Sequence, residues 1–181
     1  MIKRFFLLIF FSLSVSLAYS QFDTSFAKAS IRSCADSMCI GFKTKNWELF
    51  TRYSYPALIG SIGGTAEFRQ YMEMMYLPIP AEAWKQYETG KILQVIKTPG
   101  DLQAVIELKS VLEFQGQRIT TVSHLIGESW DGGLFWTFFD SEGDREKAKL
   151  IKPDLADPII IPQKRETTEP LSPAPKTKNN R

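Results

Sequence analysis

His124 is the only histidine in the chain, so it carries the only side chain whose ordinary pKa lies near neutrality. Beside a carboxylate such as Asp140 it has the makings of a general base. Strand alternation puts His124 on one face with Thr120, Val122 and Ile126, and puts Ile119, Thr121, Ser123 and Leu125 on the other. Neither face is clearly the apolar one. Facing inward, His124 opens a small-molecule isomerase or lyase reaction. Facing outward, it is a cross-strand surface residue, and the surface or structural reading is favoured. A Ser/His/Asp hydrolase is disfavoured, because no G-x-S-x-G occurs and helices precede the strands.

Tyr71, Met72, Met75 and Tyr76 form a second set. Methionine fills irregular gaps, and tyrosine brings a hydroxyl to the end of an apolar body, so the four could line a pocket mouth. Ordinary packing against a sheet is the competing reading. Trp136 belongs to an aromatic group with Trp84, Trp130, Phe135, Phe138 and Phe139. Tyr71, Met72, Met75, Tyr76, His124 and Trp136 are the candidate ligand-binding residues; His124 and Asp140 are the only candidates for catalysis. An aromatic carbohydrate platform is the sharper alternative for the tryptophans.

Metal chemistry finds little support. Two cysteines and one histidine argue against a zinc cluster or a disulfide framework. Asp140, Glu142, Asp144 and Glu146 lack the spacing of a calcium loop and read as a solvated turn and helix start. Cys34 and Cys39, five apart on one helix, point roughly 140° apart, with Cα atoms beyond the ~7 Å limit for a disulfide. No metal and no cofactor is expected.

The elements that must position these residues follow from period and punctuation. Ala27, Ile31, Cys34, Ala35, Met38 and Phe42 mark one face of a helix over 26–43. A shorter helix runs from Asn46 to about Tyr53 and is stopped by Pro56. Gly60, Gly63 and Gly64 mark a loop, and Thr65 caps a third helix over 66–76. After residue 84 the period becomes two. A strand over roughly 84–97 ends at Pro99-Gly100-Asp101. The next, 102–113, alternates Leu102, Ala104, Ile106 and Leu108 with Gln103, Val105, Glu107 and Lys109, as expected of a half-solvated antiparallel strand. Turns at Gln115-Gly116 and Asp131-Gly132 introduce strands over 118–128 and 134–139. The last is apolar on both faces, which predicts burial on both: helices on one side, a second subunit's sheet on the other. Asp144 caps a short helix over 145–151, and Ile159-Ile160-Ile161 is a small edge strand or docking segment.

The ends differ in kind from this body. Lys3 and Arg4, the apolar stretch Phe5–Leu17 and the small residues of Ala18-Tyr19-Ser20 read as a signal peptide, residues 1–20, cleaved after Ser20. The stretch is short for a membrane span. The chain is therefore expected in the periplasm or outside the cell, with no membrane anchor after cleavage. Residues 162–181, rich in Pro, Lys, Thr and Asn, read as a disordered polar tail after a single domain over 21–161. The leader carries two basic residues, and the tail carries five against two acidic ones. The central domain is thus near −3 although the 181-residue chain is +2, which argues against nucleic-acid binding.

The helix order, the run Trp47…Phe50…Pro56…Gly63-Gly64 and the hairpin Glu128–Phe138 together resemble the nuclear transport factor 2-like superfamily, which includes SnoaL-like proteins and ketosteroid isomerases. The resemblance covers roughly 26–140 and is strongest to exported bacterial members of unknown function. It implies an α+β fold, with N-terminal helices packed in a strongly curved antiparallel sheet as a cone-like barrel. It also implies a pocket between sheet and helices and frequent dimerisation through the sheet. Functions in the superfamily range from isomerases to non-catalytic binders, so the fold does not fix the activity. The expectation is an exported, non-enzymatic module that binds an apolar small molecule or an envelope protein. A His124-based isomerase or lyase and a purely structural dimerisation domain are the alternatives.

Overall fold

The computed structural model describes residues 24–171. The signal-peptide reading over 1–20 and the last ten residues of the tail lie outside them.

The apolar stripe read from the sequence is the stripe that α1 (Thr24–Lys43) buries: Ala27, Ile31, Cys34, Ala35, Met38 and Phe42, joined by Cys39 and Gly41. Gly41 lets the next helix approach closely, since a Cβ there would lie 2.7 Å from the Phe50 amide nitrogen. α2 (Trp47–Tyr53) is capped by Asn46, whose Oδ1 accepts from the Leu49 amide at 3.0 Å. Pro56 ends α2 but also starts a helix the sequence reading missed, α3 (Pro56–Ser61), with proline in the first turn, where no N–H is needed. Thr65 is the first residue of α4 (Thr65–Tyr76) and not its cap; Gly64, at φ 116°, takes that position.

β1 (Trp84–Lys97), β2 (Leu102–Phe114) and β3 (Gln117–Ser129) form an antiparallel meander. The Gln115-Gly116 turn has positive φ at both residues, the geometry that suits a two-residue hairpin. The expected strand over 134–139 is shorter and later, β4 (Thr137–Asp140). Residues 130–136 instead form a loop tied to the Asp131 carboxylate, whose Oδ1 accepts from the Leu134 and Phe135 amides and the Ser129 hydroxyl. α5 (Arg145–Ile151) starts at Asp144 as expected, Oδ1 accepting from the amides of Glu146 and Lys147.

The disordered tail needs correction. Residues 165–170 form β5 (Arg165–Pro170), paired antiparallel with Gln117–Val122 of β3. Its side chains are exposed, so composition gave no sign of it; backbone pairing holds it. β4 and β5 thus share one edge of β3, β4 on Leu125–Glu128 and β5 on Gln117–Val122. The folded unit runs past 161 to the end of β5.

The result is an α+β fold with a five-stranded antiparallel sheet that is not closed: β1 has a strand neighbour on one side only. One face packs α1 against Ala104, Ile106, Leu108, Leu125 and Phe138. Gln103 and Val105, expected to face solvent, are buried. The stretch after β4 crosses back over their face, and Val105, Ile126 and Phe139 pack against Tyr55, Ala148, Leu155 and Ile159. The second face of β4 is therefore covered from within the chain, where a partner subunit was expected. Ile159 docks into this layer, while Ile160 is exposed; the three isoleucines form no strand. Cys34 and Cys39 are both buried as free thiols, not bonded to each other.

Candidate functional site

Helices and sheet converge on an aromatic group that floors a cavity. Phe42 stacks on Tyr87 at 4.0 Å between ring centres and meets Tyr76 and Trp84 edge-on at 4.8 and 5.0 Å. Phe50 stacks parallel to Phe68. Above them opens a cavity of about 550 Å³, walled by α2, α3 and α4 on one side and by β4 and α5 on the other. Its inner wall is apolar: Phe42, Phe50, Leu58, Phe68, Met72 and Phe138. Its rim is charged, with Asp140, Glu142, Lys147 and Lys164.

Helical phase explains which α4 candidates reach it. Met72, four residues after Phe68, is buried in the wall, and Tyr76, four further on, is half-buried there. Tyr71 lines the cavity from the exposed flank of the helix. Met75 does not line it; it lies on the outer surface with Met74 and Leu77. Trp136 is fully buried in the α1 core and does not line it either, its indole N–H donating to the Gly133 carbonyl at 3.1 Å.

The sheet separates His124 from Asp140. Asp140 is the cross-strand partner of Leu125 and shares its face; His124, one residue earlier, points to the opposite side. Asp140 sits exposed at the cavity rim, Oδ2 accepting from the Ser123 hydroxyl at 2.8 Å and Oδ1 from the Glu142 amide at 2.7 Å. Loss of hydration on its crowded side raises its pKa, against those two hydrogen bonds. His124 is buried across the sheet, opposite Glu107, and burial lowers its pKa. Sequence reasoning could not choose its face, because both faces of β3 near it alternate apolar and polar residues. The two cannot act on one substrate atom in this arrangement.

Burial also pushes the tyrosines of the cavity floor up, Tyr87 most of all. They remain neutral phenols, suited to packing and hydrogen bonding and not to base chemistry.

The sequence reading missed one charged cluster altogether. Lys152, directly after α5, is fully buried, and its ammonium donates to Asp101 at 2.8 Å, to Asp154 at 3.0 Å and to Glu128. The rings of Tyr55 and Trp130 lie 5.9 and 5.7 Å from it. Gln103 completes the cage, donating to Asp101 and accepting from the Ala156 amide at 2.8 Å. Burial opposes charge on Lys152, but the three carboxylates outweigh it and hold its pKa above the ordinary lysine value. Asp101 is lowered: burial opposes its charge, and the hydrogen bonds from Lys152 and Thr98 prevail. Glu128 is raised, chiefly by burial, against the Lys152 hydrogen bond. Asp101, Glu128 and Asp154 are the one acidic group among the described residues with the spacing to ligate a metal ion, and the Lys152 ammonium lies among them. No local pattern marks this cage; its members come from four separate stretches of chain.

No protein-family model matches the chain. No curated protein and no solved structure matches it either. No helix among the described residues is long and apolar enough to cross a membrane.

Proposed function

We propose that the chain is an exported, non-enzymatic binding module whose cavity holds a small molecule with a flat apolar body. The observation that carries this reading is the cavity itself. Its volume of about 550 Å³ lies in the ordinary range for small-molecule sites, roughly 300–1,000 Å³. Aromatic side chains line its inner wall and charges stand only at its rim, which suits an apolar body with a polar end left toward solvent. The position of His124 across the sheet from Asp140 favours binding over acid–base turnover.

In this reading the sheet curls around the helices as the cone of the nuclear transport factor 2-like superfamily. The register shifts within β1, between Trp84 and Gln94, support such a curl, since bulges bend strands. Dimerisation is no part of the proposal, because the face that motivated it is covered from within the chain. Placement in the periplasm or outside the cell rests on the leader alone.

Native mass spectrometry of the mature chain, purified from the envelope of its own host, tests the reading. A co-purifying mass of small-molecule size that is lost in Leu58→Trp, which fills the cavity, is the expected result. A clean chain that also fails to take up the apolar fluorophore 1-anilinonaphthalene-8-sulfonate overturns it.

A further inference from the structure

On the opposite face of the sheet, where the layer after α5 no longer covers it, lies a second concavity of about 660 Å³. We propose that this groove is a binding site for a small oxyanion, phosphate- or carboxylate-bearing, held by Lys91, Lys109 and Arg165 with His124 as its polar floor.

Register places the groups together. Glu107 and His124 are cross-strand partners, Lys109 lies two residues along β2 from Glu107, and Arg165 of β5 pairs with Val122, two residues from His124. Alternation puts all four on one face. Lys91 reaches in from β1, and Gln163 approaches from the stretch before β5. This explains a use for β5 that its exposed side chains do not: pairing with β3 delivers Arg165 to the groove.

The charges are unbalanced in favour of an anion. Glu107 is the only carboxylate lining the groove. It is already engaged, 3.8 Å from the Lys109 ammonium and accepting from the Lys91 amide at 3.3 Å. The side chains of Lys91 and Arg165 form no ion pair among the described residues. Two cationic groups therefore converge on one concavity without a counter-charge.

His124 supplies an independent observation. Its side chain lines the groove and is 4% exposed, and its Nδ1 has no hydrogen-bond partner. A buried polar atom without a partner is costly. Facing the ring are Glu107 and Lys109 from β2, Lys91 from β1 and Arg165 from β5, with Asp140 acting through the sheet. Burial and Arg165 favour the neutral ring; Glu107, Asp140 and the Pro162 backbone favour the protonated one. An anion in the groove adds to the second group. Protonation would turn Nδ1 from an idle acceptor into a donor, so anion binding and proton uptake are coupled.

A single histidine makes the test direct. Inorganic phosphate is titrated into the full chain while the imidazole resonances of His124 are followed by NMR, against sodium chloride at matched ionic strength. The expected result is a saturable, phosphate-specific shift, with the His124 titration curve moved to higher pH at saturating phosphate. The shift is expected to vanish in Lys91→Gln/Arg165→Gln, whose exposed substitutions leave the circular dichroism spectrum unchanged. Equal responses to phosphate and chloride overturn the proposal. So does a phosphate response that persists in the double variant. Neither outcome depends on the aromatic cavity, which lies across the sheet.

Discussion

The Lys152 ammonium lies 2.8 Å from the Asp101 carboxylate, and neither side chain reaches solvent. This pair fastens the end of α5 to the hairpin between β1 and β2. Replacing Lys152 by methionine leaves Asp101 and Glu128 buried without a cation, a loss of about 3–5 kcal/mol. The pH dependence supplies a sharper test. In the native chain the Asp101 pKa is depressed, so its stabilisation is present above the ordinary carboxylate range and is lost as pH falls through the lowered value. In Lys152→Met the carboxylates lose their cation and keep only neutral hydrogen-bond donors against burial, so stability is expected to rise as pH falls from 7 toward 5. Urea unfolding at the two pH values reads the sign. A variant whose stability is flat or falls over that interval would refute the account of the cage.

The strand at the C-terminal end is held by its backbone. Cutting the chain after Lys164 removes the partner of Gln117–Val122. The β3 amides that face β5 should then exchange with solvent many times faster, while those of Leu125–Glu128, still covered by β4, keep their protection. Hydrogen exchange by NMR checks this. Unchanged protection over 117–122 would mean that β5 contributes no pairing.

Two glycines should respond in opposite ways to alanine. At Gly41 the new methyl meets the backbone of Phe50, so α1 and α2 must separate, at a cost of roughly 1–3 kcal/mol. At Gly60, inside α3, nothing lies within 4 Å, and Gly60→Ala should stabilise by about 0.5–1 kcal/mol through helix propensity. Thermal unfolding of both variants gives the comparison; equal shifts would contradict it.

The two thiols should be silent in the folded chain. Both are buried, and burial, with the nearby Asp36 carboxylate, pushes the Cys39 thiol up to about 12. Ellman's reagent is expected to label neither in native buffer at pH 8 and both in denaturant. Rapid labelling of the native chain would show that the α1 core opens readily.

Local structure was legible where one element's own residues decide it. The stripe of α1 from Ala27 to Phe42, the extent of β1 and the Asp144 cap all follow from period and capping chemistry. Elsewhere, tertiary packing decided the outcome. Gln103 and Val105 sit on a face that alternation assigns to solvent, yet the stretch after α5 buries them. Arg165–Pro170 has the composition of a tail and pairs because β3 offers an open edge. Pro56 both stops one helix and starts the next, and its type alone signals only the stop. Of the candidate site, Tyr71, Met72 and Tyr76 were placed by their spacing on α4. His124 and Asp140 were not, because a shift of one residue along a strand reverses the face.

The sharing of one β3 edge between β4 and β5 bears on how the chain matures. The first four helices and the first three strands are synthesised before either cover for that edge exists. Until residue 170 has emerged, the half of β3 from Gln117 to Val122 is an open row of backbone donors and acceptors, free to pair with another chain. β5 therefore also protects the nascent chain from self-association, and it can do so only once residue 170 is free to reach β3.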